Sequence, residues 1–213
     1  ELTEEYLEKY GYEDVTVTTV LHQWMGGFPQ DEAKAFAVIS WGSSVAALAK
    51  VTTGIVKPPL VAVGVPTMEA NAQGLRCTKQ AISLLADQEL KSSALELEKA
   101  IIKGETCAIV DKTFELGMGD LALGVIRAVK AGVIDIPFAP SRYNFGKMLP
   151  ARDHEGAVRY LNPARVPLPQ ELIDFNRGKI EHRAKLEKRK ASFQMVIDDV
   201  YAISKGRLVG KPK

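Results

Sequence analysis

The chain has 213 residues, 46% of them hydrophobic, and its 28 basic and 26 acidic side chains leave a net charge of +2. This composition allows a folded core, and the balance of charge gives no electrostatic reason to expect nucleic acid or an acidic membrane as a partner. No apolar run reaches the ~18 residues that a membrane span needs, and no basic-then-apolar leader opens the sequence.

Helices and strands are predicted to alternate in residues 1–90. The valine and threonine alternation before His22 is typical of a strand, and Asp31 suits the start of a helix. The predicted elements are, in chain order, the end of a helix at 3–10, a strand at 15–21, an alanine-rich helix at 31–50, a short buried strand at 54–57 and a helix from Pro66 to about Gln88.

This alternation is typical of parallel βα units and predicts an α/β fold. Two strands cannot close a barrel or build a stable parallel sheet, so the remaining strands must come from elsewhere. The chain opens inside an amphipathic segment at Glu1, without a starting methionine. We therefore expect it to be one part of something larger.

Residues 91–213 are predicted to form a mainly helical extension. Gly117 and Gly119 are expected to break its first long helix, and Gly132 to end the second. The other predicted elements are an irregular segment at 133–167 that is rich in proline and glycine, an edge strand at 158–161, a charged helix at 172–189, an amphipathic helix at 192–204 and a basic tail.

Several polar features of this second part are expected to be structural. One of the adjacent aspartates Asp198 and Asp199 must face inward if the last helix packs, which predicts a paired or capping role. The basic run 183–190 lacks interleaved aromatic residues and is interpreted as a solvated helix face. The pair Arg152 and Asp153 is also assigned a structural role.

Cysteine and histidine spacing indicates no metal site. Cys77 and Cys107 stand alone, so we expect buried free thiols in a reducing cytosol and hence a cytoplasmic protein. His22, His154 and His182 are too far apart in sequence to form a metal-binding motif.

The loop HQWMGGFPQ, residues 22–30, is the first candidate site. It leaves the carboxyl end of a predicted strand, where βα barrels place their active sites. Trp24 and Phe28 offer flat apolar faces to an aromatic or macrocyclic ligand, and the glycines allow backbone to approach it closely. The alternative is that both rings plug the barrel rim, and local sequence leaves the two readings equal. His22 is expected to be a hydrogen-bonded structural residue.

Lys57 is the second candidate because it ends the next predicted strand, at the same barrel face. Its ammonium group can donate hydrogen bonds to hydroxyls or to phosphate. The alternative is a rim lysine whose stem covers apolar surface.

Five stretches together resemble the large (epsilon, or E) subunit of glutamate mutase, also called methylaspartate mutase. They are TTVLHQWMGGFPQDEAKAF, VGVPTMEANAQGL, FELGMGDLALG, DIPFAPSRYNFGKMLPARD and SFQMVIDDVYAISKGRLVG. The resemblance runs from near Thr3 to the tail and covers the C-terminal portion of that subunit, a little under half. It implies that residues 1–90 are the closing βα units of a TIM (β/α)8 barrel and that residues 91–213 are its C-terminal extension.

The resemblance implies an adenosylcobalamin-dependent isomerase. In that family the cofactor lies between the barrel of the large subunit, which forms a homodimer, and a small subunit with a DxHxxG cobalt-ligating motif. The enzyme converts L-glutamate to threo-3-methylaspartate by a radical rearrangement in glutamate degradation. By resemblance, Phe28 and Val65 contact the cofactor and Lys57 bonds the adenosyl ribose.

The resemblance assigns no catalytic or metal-binding residue to this chain. The arginines that clamp the substrate, and the general base, belong to the N-terminal part of the family subunit, so the isolated chain is expected to be inactive.

Two positions depart from the family pattern. Val61 stands where the family has a glutamate that grips the ribose hydroxyls, and Met68 replaces a lysine. A valine cannot accept a hydrogen bond, so the hold on the adenosyl group would be weaker or different. Two alternatives follow: a divergent, non-catalytic scaffold of a B12-dependent mutase complex, and a related mutase that acts on another small acid.

Overall fold

A computed structural model describes residues 1–139 and 141–210 of the chain. Position 140, in the predicted irregular segment, and the last three residues of the predicted basic tail lie outside the described residues. The chain divides into two compact units. Unit 1 contains Glu1–Lys91 and Ile203–Gly206, and unit 2 contains Ser92–Ala202 and the chain from Arg207 onward. The assignment of 1–90 to barrel units and of 91–213 to an extension stays a prediction.

The stretch Glu1–Lys91 of unit 1 contains three helices and two short strands. They are α1 (Leu2–Lys9), β1 (Val20–His22), α2 (Glu32–Leu48), β2 (Thr53–Ile55) and α3 (Met68–Leu85).

The two strands of unit 1 pair in parallel, with Val20 opposite Thr53 and His22 opposite Ile55. Helix follows strand twice, which agrees with the α/β prediction, although two strands do not make a barrel. The prediction that the second strand is buried is wrong: all three residues of β2 are exposed, and Ile55 is 47% exposed. Val20 of β1 is 58% exposed. Each strand has only the other as a partner in the described part of the chain, and burial of a parallel sheet requires cover on both faces.

The helices of unit 1 begin within two residues of the predicted starts. The Asp31 carboxylate accepts a hydrogen bond of 2.9 Å from the backbone N–H of Lys34 at the start of α2. The Thr67 hydroxyl accepts one of 3.2 Å from Ala70 at the start of α3. These side chains satisfy backbone donors that the first turn of a helix leaves without partners, which fixes where each helix starts.

The described residues of unit 2 form four α-helices and a hairpin. They are α4 (Ser93–Gly117), α5 (Leu121–Ala131), β3 (Leu149–Arg152), β4 (Val158–Asn162), α6 (Gln170–Leu186) and α7 (Phe193–Val200). A short 3₁₀ helix, Ile203–Lys205, follows α7 in the sequence and belongs to unit 1.

The break between α4 and α5 confirms the prediction from the glycines. Gly119 has a φ of +99°, and Gly132, which ends α5, has a φ of +80°; both values favour glycine. Gly124 of α5 meets the backbone of α4 so closely that a Cβ there would lie 2.5 Å from the carbonyl oxygen of Thr113. The two helices therefore form a tightly packed pair.

The strand β3 lies in the segment 133–167, for which the sequence predicts irregular structure. It pairs antiparallel with β4, and the register shifts between Leu149 and Pro150. A proline cannot donate to a strand ladder and is found at edges or irregularities of sheets, which is why the pattern was not typical of a strand. The last predicted helix is also shorter than expected, since α7 ends at Val200.

A buried arginine joins α6, α7 and the hairpin of unit 2. Arg183 is fully buried and donates hydrogen bonds to the Asp199 carboxylate (2.8 Å), to the carbonyl of Arg152 (2.7 Å) and to the carbonyl of Gly210. Asp199 also accepts from the backbone N–H groups of Arg152 and Gly210. The inward-facing aspartate is thus confirmed, while the solvated face predicted for 183–190 is wrong at Arg183, where these partners and the Glu187 carboxylate, at 3.1 Å, replace water.

A second buried arginine confirms the structural role of the Arg152–Asp153 pair. Arg159 donates to Asp153 at 2.8 Å, forms an ion pair with Glu98 of α4, and places its guanidinium 5.1 Å from the ring centroid of Phe175. This cluster connects α4 and α6 to the hairpin.

Glu105, which lies near Arg159 and accepts a hydrogen bond from Asn176, makes the stability of unit 2 depend on pH. Burial raises its pKa above the ordinary value of 4.5, although the hydrogen bond from Asn176 and the charge of Arg159 act in the opposite direction. The folded state then binds this proton more tightly than the unfolded chain does, so the free energy of unfolding falls as pH rises above the ordinary pKa.

We expect Glu105→Gln to remove that part of the pH dependence while keeping an oxygen acceptor for Asn176. The measurement is urea unfolding between about pH 4 and pH 8. Glu96→Gln, on the exposed first turn of the same helix, is the control and should keep the wild-type slope. A wild-type slope in Glu105→Gln would contradict the assignment.

Candidate functional site

A cleft of about 270 Å³ lies beyond the carboxyl ends of β1 and β2. Because the strands are parallel, the loops that follow them emerge at the same edge of the sheet. Eight residues line the cleft: Trp24, Met25, Gly26, Phe28, Gln30, Lys57, Val61 and Ala62. The structure thus brings Phe28 and Lys57 to one place. Val65 is not among the lining residues and is 97% exposed on the following loop.

The first loop is held in shape by its own tryptophan. The indole Nε1–H of Trp24 donates a hydrogen bond of 3.1 Å to the carbonyl of Gly27. The ring lies so close to Gly26 that a Cβ at that position would be 2.4 Å from Cζ2 of the indole. The glycine is therefore required for Trp24 to fold over its own loop, and the loop presents Phe28 on a fixed turn.

His22 is hydrogen-bonded, as predicted. Its Nδ1 lies 2.8 Å from the carbonyl oxygen of Gln23. A carbonyl oxygen only accepts, so Nδ1 carries a proton and donates. Both alternatives for the aromatic residues of the loop stay open, since Trp24 packs on its own turn and Phe28 faces the cleft half-buried.

Lys57 is the only charged residue among the eight that line the cleft. Its backbone N–H donates a hydrogen bond of 2.8 Å to Oε1 of Gln23. On the other side, Gly74 of α3 approaches so closely that a Cβ there would lie 2.9 Å from the carbonyl oxygen of Lys57. The backbone of Lys57 is thus fixed from two directions, while its half-buried side chain lines the cleft.

Sequence reasoning missed Gln23, which is 4% exposed and connects the two strands to α2 and α3. Its amide nitrogen donates to Ser43 of α2 (3.0 Å) and to Thr78 of α3 (3.2 Å), and its backbone N–H donates to the carbonyl of Ile55 (3.1 Å). A single glutamine beside a strand carries no local pattern, so no signal in the sequence distinguishes it from a surface residue.

The cleft offers one cation, aromatic faces and apolar surface, and its eight lining residues include no carboxylate. It can therefore hold a ligand that combines a flat apolar group with hydroxyl or other acceptor oxygens. An acid–base pair is not present among these residues.

Other expectations concern cysteines, metals and membranes. Cys77 and Cys107 are free, but both are half-buried rather than buried. In residues 1–139 and 141–210, the side chains of His, Cys, Asp and Glu form no group of three that could hold a metal ion. Within the same ranges, no helix has the length and apolar composition needed to cross a bilayer.

Comparison with known proteins identifies relatives along the whole chain. The family described as "Methylaspartate mutase E chain (MutE)" matches residues 1–212. Proteins named glutamate mutase epsilon subunit are 58% identical in Desulfitobacterium hafniense (strain Y51), 54% in Treponema denticola and 48% in Escherichia coli O157:H7. Each comparison covers 100% of this chain and 44% of the relative, so the chain spans less than half the length of these proteins.

Proposed function

Since the chain belongs to the methylaspartate mutase E chain family, we propose that it is the C-terminal part of the large subunit of a glutamate mutase. The proposed enzyme is an isomerase that converts L-glutamate to threo-3-methylaspartate with adenosylcobalamin. This chain supplies loops that face the cofactor. The substrate-clamping groups come from the N-terminal part of the same subunit.

The observation that carries this proposal is the cleft that Phe28 and Lys57 share. The two residues follow different strands, and only a parallel β1–β2 pair puts their loops at one edge. In βα folds, ligands bind beyond the carboxyl ends of the strands. The position of the cleft therefore agrees with a cofactor site on a barrel face.

The exposed strands of unit 1 support the proposal of an incomplete barrel. Val20 and Ile55 are large apolar side chains left in solvent on a two-stranded parallel sheet. Parallel strands are normally covered on both faces. We propose that further strands, from the N-terminal part of the subunit, pair with β1 and β2 and close a TIM barrel.

The lining residues fit part of adenosylcobalamin. When bound, this cofactor supplies the radical that starts a carbon-skeleton rearrangement. Lys57 would donate hydrogen bonds to the ribose hydroxyls, and Phe28 would cover an apolar face of the cofactor and exclude water there. Val65 would contact the cofactor from its exposed loop. A small partner subunit with a DxHxxG motif would hold the cobalt.

Val61 favours a second candidate function. It lines the cleft where the family pattern has a carboxylate, so one acceptor for ribose hydroxyls is missing from the wall. A non-catalytic scaffold of a B12-dependent mutase complex would tolerate this change. A related mutase with another small acid as substrate would tolerate it if the ribose is held differently.

One assay separates these functions. The complete large subunit, assembled with the small subunit, is supplied with adenosylcobalamin and L-glutamate, and threo-3-methylaspartate is measured. Formation of the product supports the glutamate mutase. Cofactor homolysis without product indicates another substrate, and cofactor binding without homolysis indicates a scaffold. If the assembled complex binds no cobalamin, both catalytic functions are wrong. The mass of the complex in solution tests the proposed homodimer of large subunits.

Replacing Lys57 by alanine is expected to weaken adenosylcobalamin binding in that complex about tenfold to a hundredfold, because a charged hydrogen bond is lost in a partly buried cleft. The dissociation constant is measured by titration of the cofactor. Lys79→Ala, at an exposed position of α3, is the matched control and should bind like the wild type. Equal affinities of the Lys57→Ala variant and the wild type would contradict the role proposed for Lys57.

A further inference from the structure

We propose that Gln23 is a positioning residue. By accepting a hydrogen bond from the backbone N–H of Lys57, it holds the lysine where its side chain can reach the adenosyl group of the cofactor. This inference rests on the proposed function. It assigns a role to a buried amide that is not among the residues lining the cleft.

The hydrogen bonds of Gln23 fix the orientation of its amide. Oε1 faces the backbone N–H of Lys57 at 2.8 Å, and Nε2 faces the hydroxyls of Ser43 (3.0 Å) and Thr78 (3.2 Å). The N–H of Lys57 can only donate, so the oxygen must lie on that side. The orientation of the amide is therefore determined by its partners.

The same residue holds β2 at a second point. The backbone N–H of Gln23 donates to the carbonyl of Ile55 at 3.1 Å. Gln23 thus binds the chain both at the end of β2 and two residues later at Lys57. These two contacts fix the direction in which the chain leaves the strand and enters the cleft wall.

Helices α2 and α3 hold the amide nitrogen of Gln23 through Ser43 and Thr78. Ser43 is fully buried, and its hydroxyl lies 2.7 Å from the carbonyl of Ile39 and 3.1 Å from the hydroxyl of Thr78. Gly42 leaves room for the glutamine, since a Cβ there would lie 3.3 Å from its Cγ. A fully satisfied buried network of this kind is rigid, because each group that moves loses partners that water cannot replace.

The network therefore connects α2 and α3 to the cleft through one side chain. If Oε1 is removed, the N–H of Lys57 loses its partner in a half-buried place, and of the two contacts that fix this backbone only the packing against Gly74 remains. We expect the backbone of Lys57 to shift as a result. A shift of Lys57 lowers the affinity for ligands that form a hydrogen bond with its side chain and leaves the affinity for other ligands unchanged. This selectivity distinguishes positioning from a general contribution to stability.

The experiment uses the large subunit assembled with the small subunit, titrated with adenosylcobalamin and, separately, with hydroxocobalamin, which lacks the adenosyl group. Gln23→Met, similar in shape but without the amide, is expected to weaken adenosylcobalamin binding about tenfold and to leave hydroxocobalamin within about twofold of the wild type. Gln23→Glu keeps an acceptor for Lys57 and should recover most of the affinity.

Asn176 provides the matched control. It is an equally buried amide in unit 2, bonded to the backbone N–H of Tyr160 and to Glu105. Asn176→Leu should lower the melting temperature but bind both cobalamins like the wild type. If Gln23→Met does not fold, Thr78→Val takes its place, since it removes one partner of Nε2 and should cause a smaller loss with the same selectivity.

An equal loss for both cobalamins, or no loss in either Gln23→Met or Thr78→Val, would overturn the positioning role and leave the proposed function standing. A wild-type complex that binds neither cobalamin would overturn the proposed function and this inference with it.

Discussion

Replacing Arg183 by methionine is expected to lower the free energy of unfolding by about 3–5 kcal/mol. The arginine is fully buried, and its loss leaves the Asp199 carboxylate and the carbonyl groups of Arg152 and Gly210 without their shared donor. A buried carboxylate that loses its cation is costly because the low-dielectric interior cannot stabilise its charge.

Urea unfolding of the chain measures this loss, and amide hydrogen exchange in α6 and α7 should localise it. Arg177→Met is the matched control on the same helix. Arg177 forms an exposed ion pair of 3.0 Å with Asp174, and its replacement should cost less than about 1 kcal/mol.

A double variant provides a sharper criterion. Arg183 and Asp199 contact each other directly, so Arg183→Met combined with Asp199→Asn should cost less than the sum of the two single changes. Additive losses would contradict the role of the ion pair with Asp199 and assign the effect to packing and to the other acceptors of Arg183, which are Glu187 and the carbonyl groups of Arg152 and Gly210.

Replacing Gly124 by valine is expected to cost about 3 kcal/mol because it separates α4 from α5. A Cβ at Gly124 would lie 2.5 Å from the carbonyl oxygen of Thr113 and 3.1 Å from Cα of Gly117. Both neighbours are backbone atoms of α4, which cannot move aside as the end of a flexible side chain can. The whole helix must shift to make room.

Gly178→Val tests the same change without the contact. Gly178 is an exposed residue of α6, and a Cβ there would meet nothing within 4 Å. The difference in helix propensity then acts alone, and the free energy of unfolding should change by less than about 0.5 kcal/mol. Similar losses in the two variants would show that the α4–α5 contact is looser than the structure indicates.

The helix boundaries show how far local sequence predicts this fold. Asp31 and Thr67 cap α2 and α3, and Gly132 ends α5, each at the predicted place. These signals act on backbone groups within a few residues, so they can be read from a short stretch. The strand β3 was missed because Pro150 sits in it, and its pairing depends on β4, which comes later in the chain.

The residues of the cleft could likewise be predicted only in part. That Phe28 and Lys57 each follow a strand could be read from the sequence, and parallel pairing then places them at one edge. Val65, on the loop after β2, is instead exposed outside the lining. How far a loop extends from the end of a strand depends on its packing, and no local pattern records it.

The sequence by itself determined the order of helices and strands, most of the helix starts and ends, and the family to which the chain belongs. Only the tertiary structure decided which polar residues are buried. Gln23 meets Lys57 and Thr78 at sequence separations of 34 and 55, and Arg183 meets Asp199 at a separation of 16. Capping and turn formation depend on neighbours along the chain, whereas burial of an amide or a guanidinium depends on partners that only folding brings within hydrogen-bonding distance.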